Sequence, residues 1–414
     1  MGAGAIRRIR ANKVMIPFQR PFATSTGMWL AREAWIIRLF DADGRVGAGE
    51  AVVEPQDGAA ASTVLDHLVH DLEGSDPAGG LPTSAELELH GSPGRALRAA
   101  IDAARFDLGL LDGALRWAGG PRAGGHGGLA LDGDPHDSDD DEDEDEDDDP
   151  ALAGAAVNAT LPSIGPAASA EAARQSVSAG FTTLKLKAGA ERETQLLVDR
   201  VRAVREAVGP DVRLRLDVNG AWDLETATDR LEAVARFALE YVEQPLAGDD
   251  PAAMAELRRR VRVPLAADET VTSVRAARLL LEAEAVDVLV VKPVRVGGLA
   301  AAGEIAELAA ERGVPVVVST LFETGVGIAT GLAVAMALPE VRGGSFDHVP
   351  DHGLATAGLL EHDLLDEGLV LGGGLLRAPG GAGSGRLGIR VSERALVRYA
   401  ADRAVGPVWE AWDA

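Results

Sequence analysis

From about residue 151 to residue 350 the chain repeats one cycle: a short apolar run, a turn, then a stretch with apolar residues at three- and four-residue spacing. Short apolar runs read as buried strands and the wider spacing as amphipathic helices. The candidate strands are Ala155 to Ala159, Thr183 to Lys187, Arg213 to Asp217, Tyr241 to Glu243, Val263 to Ala267, Val286 to Lys292, Val314 to Val318 and a short one near Ser345. Eight strands alternating with helices predict a closed parallel α/β barrel. A doubly wound sheet would call for a Gly-rich phosphate turn after its first strand, and Asn158-Ala159-Thr160-Leu161-Pro162 offers none.

The pattern ahead of this region differs. Alternation from Ile6 to Leu39 predicts a hairpin, with Ala34 to Leu39 and Val46 to Glu50 as strands, and helical spacing takes over in Ala60 to Leu72 and Ala96 to Leu111. Residues 1–120 therefore read as an α+β module. Residues 121–150 are Gly-rich and then acidic, with almost nothing to bury, and read as a disordered insertion. Residues 151–350 form the barrel, and residues 351–414, rich in Gly and Pro before a short helix near Glu393 to Tyr399, are expected to return to the N-terminal module.

A length of 414 residues suits a large barrel with an added module, and a 46% hydrophobic content with only 4% aromatics suits helices packed around buried strands. Cysteine is absent, which excludes disulfides and thiolate metal sites. No apolar run follows Met1, so the expected location is the cytoplasm. The net charge of −25 disfavours nucleic acid and anionic membranes as partners, although the unbroken acidic run Asp139 to Asp149 supplies eleven of those charges. That run is read as solvated; the alternative is a non-catalytic scaffold that uses it to bind a cationic partner.

Charged residues gather where the barrel strands end, the face on which barrel enzymes build their sites. Lys185 and Lys187 share one face of their strand by its period of two. Their repulsion is expected to lower the pKa of the more buried one, as a catalytic base requires; the alternative is an edge strand defended by lysines. Asp217, Glu243 and Asp268 close three successive strands, and three carboxylates without cysteine describe a hard-cation site suited to Mg²⁺, with Mn²⁺ as the other candidate. Taken singly, each acid could equally be a helix cap. Lys292 ends a further apolar strand across the barrel, as a proton-transfer group or, alternatively, a Schiff-base nucleophile. Ser319 to Gly327 opens a helix with amides and hydroxyls suited to a carboxylate, which makes Ser319, Glu323, Thr324 and Gly325 candidate substrate contacts. Trp29 and Phe22 are candidates for closing over the site, and His348 and His352 read as loop residues rather than as a base.

Lys185-x-Lys187, Asp217-x-Asn219, Glu243-Gln244-Pro245, Asp268-Glu269 and Lys292-Pro293, in this order on successive strands, resemble the enolase superfamily, specifically its muconate-lactonizing subgroup. Gly47-x-Gly49-Glu50 and the C-terminal segment are similar to that superfamily's capping domain. The acidic insertion departs from the pattern and lies between cap and barrel. The resemblance implies a modified TIM barrel of the (β/α)7β type under an α+β cap. It also implies Mg²⁺ held by Asp217, Glu243 and Asp268, Lys187 as general acid/base, Lys185 as its neighbour, and Lys292 as the opposing lysine, acting with Asn219 on a small-molecule carboxylate. A carboxylate's α-proton is so weakly acidic that the cation must stabilise the enediolate. Val157 to Pro162, Arg20-Pro21-Phe22 and Ser319 to Gly325 look most like the o-succinylbenzoate synthase family of the actinobacterial type, which implies loss of water in menaquinone biosynthesis. The alternatives in the subgroup are N-acylamino acid racemases and dipeptide epimerases. Epimerases carry an Asp-x-Asp pair near strand eight, where this chain reads Ser345-Phe346-Asp347-His348.

Overall fold

The computed structural model describes residues 5–23, 27–54, 57–75, 80–111, 154–162, 164–342, 346–380, 386–401 and 409–411. The acidic run and the side chain of Phe22 lie outside the described residues.

The cap begins with strands β1 (Ile6–Ala23), β2 (Gly27–Asp41) and β3 (Val46–Ala51), all antiparallel to their neighbours, with β2 between the other two. Trp35, Ile36, Ile37 and Leu39 of β2 are all buried, so both faces of the middle strand are covered and the apolar run loses its alternation. Three helices follow, α1 (Gly58–Gly74), α2 (Ser84–Glu88) and α3 (Gly91–Asp107). Strand β3 rests directly on α3: a Cβ at Gly47 or Gly49 would stand 2.0 Å from the carbonyl oxygen of Ala104 or Ala100. Only glycine permits that approach, which accounts for the Gly-x-Gly spacing.

After the insertion, β4 (Gly154–Ala156) stands apart from the barrel sheet. The barrel then runs through β5 (Ala159–Leu161), α4 (Pro166–Ser178), β6 (Thr183–Lys187), α5 (Thr194–Val208), β7 (Arg213–Asp217), α6 (Leu224–Val234), β8 (Tyr241–Glu243) and α7 (Pro251–Arg260). It continues with β9 (Leu265–Ala267), α8 (Val274–Glu282), β10 (Val288–Val291), α9 (Pro293–Val296), α10 (Leu299–Ala310), β11 (Val316–Val318) and α11 (Gly325–Ala337). Strands β5 to β11 form one parallel sheet in chain order. Leu184, Leu186, Leu214, Leu216, Leu265 and Leu289 face the helices in the main core. Tyr241, Ala266, Val288, Val290, Val317 and Phe346 fill the interior as a separate cluster.

The short strand expected near Ser345 falls at a residue that lies outside the described residues. Two residues close the barrel: His352 bridges Val157, and Gly353 bridges Ser319, both in parallel sense. The amide of Gly353 donates to Val318 O (2.8 Å) and that of Asn158 to His352 O (2.9 Å). A two-residue strand has no alternation to read, which is why the pattern did not reveal it. The first strand likewise starts later than expected, because β4 belongs to a small antiparallel sheet with β12 (Val370–Gly372) and β13 (Leu375–Arg377). The chain then returns to the cap: the amide of Met15 donates to Tyr399 O (2.8 Å), after helix α12 (Glu393–Arg398), and β14 (Trp409–Ala411) pairs with β2.

Candidate active site at the barrel mouth

The outward leucines of β6 and β7 turn the alternate residues inward, so Lys185, Lys187, Arg215 and Asp217 all point into the barrel. Sheet register puts Lys187 level with Asp217, and Asp217 level with Glu243. Asp268 follows β9, and Lys292 follows β10 at the start of α9.

Lys187 Nζ lies 2.7 Å from Asp217 Oδ2 and donates to Asn219 Oδ1 at 3.0 Å. Lys185 Nζ reaches Asp217 Oδ2 at 3.0 Å and both oxygens of Glu243 at 3.1 and 3.2 Å. Lys292 Nζ is 2.6 Å from Asp268 Oδ2. Gln244, between Glu243 and Pro245, accepts the amide of Asp268 (3.0 Å) and the hydroxyl of Thr270 (3.1 Å), which ties β8 to the turn that carries Asp268.

Charge balance sets the protonation of this cluster. Burial raises the pKa of Asp217, but Lys185 and Lys187 outweigh it and bring the carboxyl down to about 2. Lys292 and Arg295 hold Asp268 far below the usual carboxylate range against the same burial. Glu243 is pushed up to about 8 by burial and by Asp217, against Lys185. The expected lowering of the more buried lysine does not occur: burial lowers Lys185, yet Asp217 and Glu243 together drive its pKa well above the ordinary value. Opposite charges at hydrogen-bond distance outweigh one like charge.

Two contributors were not singled out from the sequence. Arg295, in the fully buried Pro293–Val296 turn, donates from Nη1 to Asp268 Oδ1 (2.7 Å) and from Nε to Glu54 Oε1 (2.6 Å), so a cap carboxylate reaches the site through it. An arginine in a short apolar stretch three residues past Lys292 was the available signal. Glu269 accepts the side-chain amide of Asn219 at 2.9 Å, while its Oε2 is buried without a partner.

The loop after β11 turns its donors elsewhere than expected. Thr324 caps α11, and its amide (3.0 Å) and hydroxyl (2.6 Å) donate to Glu50 of the cap. The amide of Gly325 donates to Asp363 (2.7 Å) and that of Gly327 to Glu50 (3.0 Å). The carboxylates at this helix N-terminus are therefore the protein's own, and Thr324 and Gly325 have no amide left for a ligand. Glu323 is buried and accepts the amide of Leu321, and Ser319 sits at the barrel closure facing Gly353 O at 3.4 Å. Trp29 packs against Phe322 in a tilted arrangement, with centroids 5.9 Å apart, and lies beneath the Arg32 guanidinium at 5.0 Å. His348 is bound to Glu240 (2.6 Å) and Asp347 (2.9 Å), away from the mouth. His352 is buried in the closure and accepts the amide of Val318 on Nδ1 at 3.1 Å.

Among the described residues, no three carboxylate or imidazole groups are grouped to hold one cation, and Lys185, Lys292 and Arg295 bind the acids directly. The donor set nevertheless suits a hard dication: three buried carboxylates at the ends of adjacent strands, with Glu243 raised by burial and by Asp217.

A family model described as enolase C-terminal domain-like matches residues 168–395. The chain belongs to this family. Two curated relatives of this enolase-like chain are o-succinylbenzoate synthases. That of Thermobifida fusca is 47% identical over 215 residues, which is 52% of this chain and 63% of the relative. That of Mycobacterium tuberculosis is 40% identical over 213 residues, 51% of this chain and 60% of the relative. The chain thus spans less than two thirds of the length of either. Among solved structures, the L-Ala-D/L-Glu epimerase from Bacillus subtilis superposes with a TM-score of 0.73 at 24% identity, covering 93% of this chain and 98% of that one. The muconate lactonizing enzyme from Pseudomonas fluorescens gives 0.74 at 22%, covering 96% and 100%. At these identities the likeness is one of fold, a capped barrel. Among the described residues, no helix is long and apolar enough to cross a membrane.

Proposed function

We propose that this chain is a hydro-lyase acting on 2-succinyl-6-hydroxy-2,4-cyclohexadiene-1-carboxylate, releasing 2-succinylbenzoate and water as a step of menaquinone biosynthesis in the cytoplasm. The observation that carries the proposal is the placement of Lys187, between Asp217 and Asn219, at the end of the barrel where Lys292 emerges on Asp268. The similarity to o-succinylbenzoate synthases supports this choice of substrate class.

Asp217, Glu243 and Asp268 would hold Mg²⁺, or Mn²⁺ in its place, and the ion supplies Lewis-acid stabilisation of charge developing on the substrate carboxylate. Lys187, as the neutral amine, removes the proton α to that carboxylate, and the electron pair left behind forms the ring double bond as hydroxide departs. The proton on Lys187 is returned to that hydroxide on the same face, so water leaves and no net proton is consumed. Lys292 places a positive charge on the opposite side. Aromatisation makes the elimination strongly downhill, so the site needs to aim one base rather than drive an uphill step. A proton carrier on each side of the substrate also suits 1,1-proton transfer, which keeps N-acylamino acid racemisation or dipeptide epimerisation as the second reading.

The test is an assay with Mg²⁺ for loss of the cyclohexadiene absorbance, run beside polarimetry on N-succinyl amino acids. Dehydration that falls by about 10²- to 10⁴-fold in Lys187→Ala, the usual range for losing a general acid/base, supports the synthase. Faster racemisation than dehydration would replace it with the second reading.

A further inference from the structure

Asn219 stands between the amine of Lys187 and the carboxyl group of Glu269. A side-chain amide offers an oxygen that only accepts and an NH₂ group that only donates. Lys187 Nζ donates to Asn219 Oδ1 at 3.0 Å, and Asn219 Nδ2 donates to Glu269 Oε1 at 2.9 Å. The orientation of an Asn amide is normally assigned from its neighbours, and here the oxygen faces the lysine and the NH₂ group faces the glutamate. The backbone contributes as well: Asn219 has φ of +50°, a left-handed conformation that asparagine tolerates better than most residues, and its amide donates to Asp217 Oδ1 at 3.3 Å. Gly220 follows in the same left-handed region, and its amide donates to Gln244 O at 2.8 Å, so the turn is held on both sides of the side chain.

We propose that Glu269 is a positioning residue for Lys187, acting through Asn219: it fixes the amide so that a neutral oxygen, and not an NH₂ group, faces the lysine. This rests on the reading of Lys187 as the base. The physical need is specific. Asp217 Oδ2 is shared by Lys185 and Lys187 and belongs to the cation-binding set, so it is a poor sole anchor for Lys187. A second acceptor that is not a candidate cation ligand keeps the amine aimed whichever way Asp217 is engaged. An amide oxygen does this without adding another negative charge beside the base, whereas a carboxylate at position 219 would favour the charged ammonium. Glu269 supplies the fixed orientation from one side chain further away. Its own chain position, next to Asp268, anchors it in the turn that Gln244 also holds.

The experiment uses the full chain with Mg²⁺ and the variants Glu269→Leu, Asn219→Leu, the double variant and Glu269→Gln. Removing an outer partner of this kind costs about 10- to 100-fold in activity. The expected result is that loss in kcat for Glu269→Leu, with KM and the titrated affinity for 2-succinylbenzoate nearly unchanged. Asn219→Leu should lose a similar factor, and the double variant should lose little more than either single one, because both act through one contact. Glu269→Gln, which retains an oxygen for Asn219 Nδ2, should recover most of the Glu269→Leu loss. Additive losses, or a Glu269→Leu defect in affinity alone, would overturn the relay and make Glu269 part of the cation site. Crystal structures of wild type and Glu269→Leu give a reading independent of turnover: the Lys187 to Asn219 contact should open, and its persistence at about hydrogen-bond length counts against the proposal. Absence of dehydration in the wild-type chain is a separate outcome that removes the synthase reading and leaves the relay to be judged from those structures.

Discussion

Glu50 and Thr324 are 274 positions apart in the chain and 2.6 Å apart in the fold, where the Thr324 hydroxyl donates to Glu50 Oε2. The same carboxylate accepts the amides of Thr324 and Gly327, so a cap side chain completes the first turn of the helix that follows β11. The helix can do so only because Gly327 has no side chain: a Cβ there would lie 2.5 Å from Glu323 Cβ and 3.1 Å from Glu50 Oε2. The join therefore couples cap and barrel beside the mouth, in a place where sequence alone suggests a substrate contact.

Removing Glu50 leaves buried donors at Thr324 and Gly327 without partners. Glu50→Ala should lower the unfolding free energy by about 2 to 4 kcal/mol, measured as a drop in the urea midpoint at unchanged slope. Glu50→Gln keeps an acceptor and should lose less.

His352 is buried in the barrel closure, where burial and then Arg215 lower its pKa to about 4 from an ordinary 6.5. The unfolded chain binds the proton first, so the stabilisation is complete above pH 6.5 and is lost as pH falls through 4. It amounts to something on the order of 3 kcal/mol. Thermal unfolding scans across that range should show a steeper acid decline in wild type than in His352→Asn, which retains an acceptor for Val318.

Asp107 behaves in the opposite sense. Its carboxylate accepts the amides of Ala48 and Leu387, yet burial raises its pKa to about 6 from 3.8. Here the folded chain binds the proton first, so stability falls as pH rises from 3.8 to 6 and stays lower above it. The cost is on the order of 3 kcal/mol, and Asp107→Asn should flatten this part of the profile at the expense of one hydrogen bond. The two groups oppose each other between pH 4 and 6, so each becomes visible when the other is substituted.

If Asp217, Glu243 and Asp268 hold the cation, Mg²⁺ should raise the melting temperature of the wild-type chain. A ligand at a hundred times its dissociation constant adds about 2.7 kcal/mol to folding stability. Glu243→Gln and Asp217→Asn should abolish the increase, and an increase that persists in both would place the ion elsewhere.

Much of this architecture was legible in local pattern. Leu184 and Leu186 facing the helices oblige Lys185 and Lys187 to share the inward face, and the same period places Asp217 at the mouth. Periodicity is a property of neighbouring residues, so it survives without knowledge of the partner strands. What the side chains do to one another was not legible, because pairing is decided by distance in the folded barrel. Lys185 keeps its charge because Asp217 and Glu243, from strands 32 and 58 positions away, lie within 3.0 and 3.1 Å of it. The helix after β11 binds a carboxylate, as its N-terminus invites, but Glu50 of the cap reaches it first. The barrel closes at His352 and Gly353 through two bridges too short to leave a periodic trace. Residue types and their faces come from the chain's own covalent geometry; the partners, and hence the protonation states, come only from packing.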